Sequence, residues 1–263
     1  MSDRAAPAPL SAWTPPADLV GVLCDIDDTL TWEGRLVPEA LVALSRLSAA
    51  GLRVVPITGR PGGWVDHIAR MWPVDAVVGE NGGLWFWMGP GGLQRRFLQD
   101  AATRAANRDR LTALGKQILA EVPGCALASD QPYRELDLAI DFCEDVPALD
   151  DAAIDRIVAA FTGAGATSKV SSIHVNGWFG DFDKLSGIRQ LHRDRWGGEI
   201  EPQRWVFVGD SANDEPMFAA FDHAIGVANV ADFLPRMNAW PAHVTSAQGG
   251  HGFCQIAERI LSR

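Results

Sequence analysis

The sequence predicts an α/β protein with a parallel-sheet core and an inserted α+β domain. Three observations carry the prediction. Apolar runs of strand length alternate with helix-period segments over the first eighty residues, the rhythm breaks between about residues 84 and 179, and it resumes after Asp181. A chain of 263 residues is long enough for one or two such domains and for a sizeable core.

Each element follows from local pattern. Residues 19–26 form a continuous apolar run ending in carboxylates, as a strand buried on both faces does. Pro38 opens a stretch with Leu41, Leu44 and Leu47 at helical spacing, and Gly51 closes it, which matches Pro near a helix start and Gly just past its end. Residues 52–57 read as a second strand, 61–71 as a helix and 75–79 as a short third strand, a series that implies right-handed βαβ units. Residues 84–88 and 94–98 then read as a hairpin around a Gly-Pro-Gly-Gly turn, and a helix runs through Leu111, Leu114 and Ile118. Residues 136–142 mostly alternate, which suits a strand with one wet face. A helix over 148–161 and strands at 167–171 and 173–178 complete the insert. Beyond Asp181 come a helix, a strand at 204–208, a helix from about Asp214 and a short apolar segment at 224–227. The expected division is a flexible tail over 1–17, a core made of 18–83 and 180–263, and an insert over 84–179.

Composition excludes several classes of function. The chain carries 33 Asp and Glu against 23 Lys and Arg, and the resulting charge of −10 repels a polyphosphate backbone, so no nucleic-acid partner is expected. Charges, Gly and Pro interrupt every apolar run before the length of about 18 residues that a membrane span needs, so no membrane association is expected. The Ala/Pro-rich start lacks the basic and apolar regions of a signal peptide. Cys24, Cys125, Cys143 and Cys254 are scattered without a CxxC pair, which suggests neither a zinc site nor a disulfide framework and fits a cytoplasmic location. No feature fixes an oligomeric state.

Four segments carry chemistry, and three of them stand where a predicted parallel strand ends, the edge at which open α/β sheets bind ligands. The first, Asp25-Ile-Asp-Asp-Thr29, sets two carboxylates at i and i+2, where both can face one way and call for a cation to neutralise them. An all-oxygen donor set suits Mg²⁺. Alone, the segment reads equally as an Asp cluster capping a strand-to-helix turn. The second, Ile57-Thr-Gly-Arg60, offers a hydroxyl, backbone N–H groups and a helix start, which together form either an anion cradle or an ordinary capped turn. Lys184 is the third: a cation at a helix start is electrostatically disfavoured, so it calls for an anion nearby unless it is simply solvated. In the fourth, Val208-Gly-Asp-Ser-Ala-Asn-Asp-Glu-Pro-Met217, Asp210 and Asp214 are spaced to approach one cation, and Asn213 is placed to orient a neighbour or donate to a phosphate oxygen; an acid-rich helix start accounts for Asp214 and Glu215 but poorly for Asp210.

In this order and on this scaffold the four segments resemble the haloacid dehalogenase (HAD) superfamily, specifically its Mg²⁺-dependent phosphatases. The resemblance spans the whole core. The insert falls between the second and third segments, where the Cof-type and sugar-phosphatase branch carries its larger α/β cap, and Glu80-Asn-Gly-Gly83 is similar to that branch's junction. Asp28 departs from the pattern, since many members have Gly there. The resemblance implies a Rossmann-like core in which Asp25 is the nucleophile that forms an aspartyl-phosphate and Asp27 is the acid and base. It implies Mg²⁺ held by Asp25, the Asp27 carbonyl and Asp210, with Asp214 in or next to the metal shell. Thr58, Gly59, Lys184 and Asn213 would hold phosphate oxygens, and Arg60 would meet a second anionic group of the substrate. The implied substrate is a small phosphorylated metabolite, with sugar phosphates among the candidates. A phosphomutase of the phosphomannomutase type uses the same two aspartates, and a binding protein with a silent site would share the fold. A literal dehalogenase would need neither metal nor second acid.

Aromatic residues cluster near the expected cleft. Trp64, Trp85, Trp87 and Trp178 lie in or close to it, with Trp85 and Trp87 reading as a packed face of the insert. His174, on an insert strand, reads as structural.

Overall fold

The computed structural model describes residues 6–262. Strand β1 (Ala8–Pro9) leads into β2 (Gly21–Cys24), a two-stranded flap of β3 (Thr31–Trp32) and β4 (Arg35–Leu36), α1 (Pro38–Ala49), β5 (Arg53–Pro56), α2 (Gly62–Met71) and β6 (Val77–Gly79). The hairpin β7 (Leu84–Gly89) and β8 (Gly92–Phe97) follows, then α3 (Ala101–Glu121), β9 (Ala126–Leu127), β10 (Asp137–Asp141), α4 (Asp151–Gly163), β11 (Thr167–Val170) and β12 (His174–Trp178). The chain returns through α5 (Lys184–Trp196), β13 (Trp205–Gly209), α6 (Glu215–Ala220), β14 (His223–Gly226), β15 (His243–Val244) and α7 (Gly249–Leu261).

The main sheet is parallel throughout, in the order β1-β15-β14-β13-β2-β5. Strand β2 is flanked by β13 and β5, with Cys24 opposite Val208 on one side and Pro56 on the other. That register brings the ends of three strands to one level, so the segments that follow them leave the sheet together. Alternate residues of β2 serve the two faces: Val22 and Cys24 pack with Leu44 of α1 and Phe253 of α7, while Leu23 packs with Ile188 and Leu191 of α5. Burial on both faces is what the continuous apolar runs predict.

In the insert, an antiparallel sheet of order β11-β12-β10-β9 lays one face on α3 and α4 through Leu138, Ile140, Val175, Ile118 and Phe161. Its other face carries Asp137, Asp141, His174 and Asn176, all buried. The alternation in β10 was expected to mark a wet face. Instead the polar side is covered, because it is turned toward the core.

Three further expectations change. The tail over 1–17 is not loose where it is described, since β1 adds a parallel strand to the sheet edge, Trp13 is buried, and Arg259 of α7 donates to the Trp13 carbonyl at 2.8 Å. Residues 1–5 lie outside the described residues. The hairpin β7–β8 pairs with β6, and Leu84 and Phe86 on one side and Trp85 and Trp87 on the other join the two core clusters. The two tryptophans therefore pack a core face rather than an insert face. We propose accordingly that the insert begins after Phe97 and returns near residue 180. Finally, the expected elements end at residue 227, yet β15 and α7 follow and close the face against α1.

Among the described residues no helix is long and apolar enough to cross a membrane.

Candidate active site

Asp25 continues the line of β2, its N–H donating to the Val208 carbonyl at 2.9 Å. The chain then turns sharply: Asp28 takes a left-handed conformation at φ +53°, with its N–H on Thr31 Oγ1 at 2.8 Å. Glycine adopts that conformation without strain and Asp tolerates it better than most residues, which accounts physically for an Asp at this position. The Asp28 carboxyl reaches Ser172 of the insert, and burial pushes its pKa up.

Asp25, Asp210 and Asp214 each place a carboxylate oxygen within 4.8 Å of the others, and all three are buried. Lys184, the first residue of α5, lies between two of them, with Nζ 2.8 Å from Asp25 Oδ1 and 2.6 Å from Asp214 Oδ1. A capping box between Asp183 and Ser186 fixes the helix start that delivers it. Thr29 Oγ1 donates to Asp210 at 2.9 Å, and Asn229 Nδ2 lies 3.4 Å from its other oxygen. Asp214 turns its second oxygen to the N–H groups of Asp210 and Ser211, at 2.9 and 3.2 Å.

The electrostatics of this cluster are unbalanced, since one ammonium faces three buried carboxylates. Burial, opposed by Lys184 and reinforced by Asp214, pushes Asp25 up to about 7. Burial and the neighbouring Asp25 and Asp214 push Asp210 well above the usual carboxylate range. Such a set fits a hard divalent cation, which prefers oxygen ligands and would relieve the excess charge.

A group of polar side chains adjoins it. Thr58 follows β5, its N–H held by the Val78 carbonyl at 2.9 Å, and its Oγ1 accepts the Arg60 N–H at 3.0 Å. Asn81, in the junction after β6, sits at φ +52° with its side chain packed beside Gly59, and its buried Nδ2 has no partner. Asn213 accepts from Ser211 Oγ at 3.0 Å and lies 3.4 Å from Lys184 Nζ. A buried donor without a partner, as Asn81 Nδ2 is, calls for an acceptor.

The insert closes over these groups through Arg60. Its Nε lies 3.0 Å from both Asp27 oxygens and its Nη2 2.8 Å from Asp27 Oδ1, while Glu144 accepts from Nη2 at 2.6 Å and Asp130 from Nη1 at 3.4 Å. His174 Nε2 lies 2.8 Å from the other Glu144 oxygen. Burial tends to raise Glu144, but His174 and Arg60 outweigh it and hold the carboxyl at about 2. The Arg60 guanidinium also covers the Trp64 ring at 4.4 Å. Of the four tryptophans, Trp64 alone is exposed, at 40%; Trp178 is stacked on Phe182 in the core, and Trp85 donates from Nε1 to Asp194 at 2.9 Å.

The structure thus brings Asp25, Asp27, Thr58, Gly59, Arg60, Lys184, Asp210, Asn213 and Asp214 to one sheet edge. Sequence reasoning missed Thr29, Asn81, Asp130, Arg134, Glu144 and Asn229, and it gave His174 only a structural place. Asn81 had a signal in the junction segment. Asp130, Arg134 and Glu144 had none, because their part depends on how the insert docks.

No family model matches the chain. A phosphoglycolate phosphatase of Haloarcula marismortui is 28% identical over 243 residues, covering 91% of this chain and 96% of that protein. Among solved structures, a Thermoplasma acidophilum protein superposes with a TM-score of 0.72 at 18% identity, over 93% of this chain and 100% of that one. A HAD/COF-like hydrolase from Plasmodium vivax superposes with a TM-score of 0.66 at 17% identity, over 96% and 98% of the two chains. With the insert between the second and third motifs of a parallel-sheet core, the chain has the fold of the HAD-type structures on which it superposes.

Proposed function

We propose that this chain is a Mg²⁺-dependent phosphatase acting on a small phosphate monoester through an aspartyl-phosphate. The observation that supports it best is the convergence of Asp25, Lys184, Thr58 and the unpartnered Asn81 Nδ2 near the Asp210 and Asp214 carboxylates. In this reading a carboxylate oxygen of Asp25 bonds to phosphorus as the bond to the leaving oxygen breaks, and Asp27 gives that oxygen its proton. Asp27 then takes a proton from the water that attacks phosphorus, releasing phosphate and restoring Asp25. Thr58, the Gly59 N–H, Lys184 and Asn213 bind the non-bridging oxygens and stabilise the transferring group. Asp25, the Asp27 carbonyl and Asp210 would hold Mg²⁺, with Asp214 beside it, and the ion would supply the positive charge that lets an anionic carboxylate approach an anionic ester.

Arg60 aims the Asp27 carboxylate. A second anionic group of a substrate would have to displace Glu144 or Asp130 to reach it. The enclosure of the site by the insert favours a small leaving group, and the name of the Haloarcula relative makes phosphoglycolate, beside hexose, disaccharide and triose phosphates, a first compound to try. The test is phosphate release from such a panel with Mg²⁺, with EDTA and with the Asp25→Asn variant. Mg²⁺-dependent release that the variant loses is the expected result; no release from any ester would remove the hydrolase reading.

A further inference from the structure

Arg134 belongs to none of the four motifs, yet its side chain is completely enclosed and crosses from the insert to the core. Nη1 donates to the Gly59 carbonyl at 2.8 Å. Asp130 accepts from Nε and Nη2 at 3.1 and 2.9 Å, and Asp137 accepts from Nη1 at 3.0 and 3.1 Å. The backbone behind Arg134 is also tied down: the N–H groups of Glu135, Leu136 and Asp137 donate to the buried Glu80 carboxylate at 2.9, 2.6 and 3.2 Å, and the Gly62 N–H joins them at 2.9 Å. Placing a cation here is costly unless every donor is matched, and these partners match it while aiming one N–H at a single core carbonyl.

That carbonyl belongs to a planar peptide unit whose other end is the Arg60 N–H. Arg134 grips the C=O end, and the N–H end donates to Thr58 Oγ1 at 3.0 Å. A hydroxyl oxygen that accepts a hydrogen bond keeps its own hydrogen free to donate. The peptide plane therefore sets the direction in which the Thr58 hydroxyl points its proton.

We infer that Arg134 is a positioning residue: with the insert docked, its guanidinium locks the Gly59–Arg60 peptide and so holds Thr58 as a hydrogen-bond donor to a phosphoryl oxygen. Phosphate affinity is then coupled to docking of the insert. The inference rests on the phosphatase reading in assigning Thr58 to the phosphate.

Binding of inorganic phosphate in the presence of Mg²⁺, followed by calorimetry, tests it without requiring turnover. Arg134→Lys keeps the charge that Asp130 and Asp137 need but loses the fixed fork. It is expected to weaken phosphate binding about tenfold, the size of one charge-assisted hydrogen bond. Thr58→Val should weaken binding similarly, and adding Arg134→Lys to it should cost nothing more, because the arginine acts through that hydroxyl. An unchanged affinity in Arg134→Lys, additive losses in the double variant, or no phosphate binding by the unaltered protein would each overturn the inference. If thermal melting shows that Arg134→Lys does not fold, Asp130→Asn loosens Arg134 on the side away from Gly59 while leaving Asp137 in place. The same pattern with a smaller loss, about threefold, is expected there, and an unchanged affinity overturns the inference as well. Failure of the phosphatase reading looks different: the protein binds phosphate but releases none from any ester.

Discussion

Lys184 is the side chain on which the most charge depends. It is buried between Asp25 and Asp214, so Lys184→Met would strand two enclosed carboxylates. Breaking a buried pair from one side costs about 3–5 kcal/mol, and urea unfolding without added metal should show a loss of that size together with loss of turnover. Asp25→Asn should behave oppositely in stability. It removes one charge from a crowded set and keeps an oxygen for Lys184, so turnover should vanish while the urea midpoint stays level or rises; a fall of more than about 1 kcal/mol would contradict this account of the cluster. Asp25 and Asp214 were legible in the sequence because their motifs follow parallel strands whose order puts them together, and Lys184 was legible as a cation at a helix start. Asp130, Arg134 and Glu144 were not legible, since no spacing relates them to Arg60. His174 illustrates the difference: a histidine on an alternating strand reads as structural, and only the pairing of β12 with β10 inside the insert places it on Glu144.

The element that delivers Lys184 depends on two glycines. A Cβ on Gly82 would collide with the Asp183 carbonyl, and one on Gly187 would collide with the Gly82 Cα, so the start of α5 and the junction after β6 approach backbone to backbone. Gly82 also has φ +105°, a conformation that strains any other residue. Gly187→Ala should push α5 away from the junction, cost about 1–3 kcal/mol and withdraw Lys184 from Asp25. A melting curve and a phosphate-binding titration would check it, and a variant with unchanged phosphate affinity would show that the close approach does not set the site. Element type was mostly readable from period and punctuation, because strands buried on both faces have continuous apolar runs. Exceptions have local causes. Helix α7 opens with Gly249-Gly250-His251-Gly252, a poor helical start by propensity, yet Gly249 and Gly250 lie against the carbonyls of Thr31 and Leu30 where no side chain fits. In the Ala/Pro-rich tail one residue decides the outcome: Trp13 is buried and donates from Nε1 to His223 at 3.2 Å. Trp13→Ala should cost about 3–5 kcal/mol, as loss of a buried aromatic does, where a loose tail would have made it neutral.

At the scale of the whole molecule, the insert is held on the core by two kinds of ionic contact with different physics. Arg236 and Asp151 pair at the surface, where water and salt screen them and the contact adds little. The cluster of Arg60 with Asp27, Asp130 and Glu144 is mostly enclosed, with His174 behind Glu144 and Asp28 nearby on the core side. Glu144 is the member that reports docking. Its carboxyl is held at about 2 in the closed molecule against an ordinary 4.5, because His174 and the Arg60 hydrogen bonds outweigh the cost of burial. His174 belongs to the insert itself, so only the part of the lowering that Arg60 supplies from the core favours the docked state at pH above the free value, and that contribution is lost as pH falls toward the lowered one. The insert should therefore loosen between about pH 4.5 and 2, ahead of or together with global unfolding. Glu144→Gln should already be loosened at neutral pH, since the amide keeps the shape but not the charge that Arg60 answers. Hydrogen exchange over residues 130–144 can follow both. Faster exchange in the variant at pH 7, with little further response to acid, is expected if Glu144 is the titrating latch. If instead the variant exchanges like the unaltered protein at pH 7 and responds equally to acid, the insert is held by its apolar contacts and the Glu80 anchor, and the carboxylates around Arg60 serve only to aim Asp27.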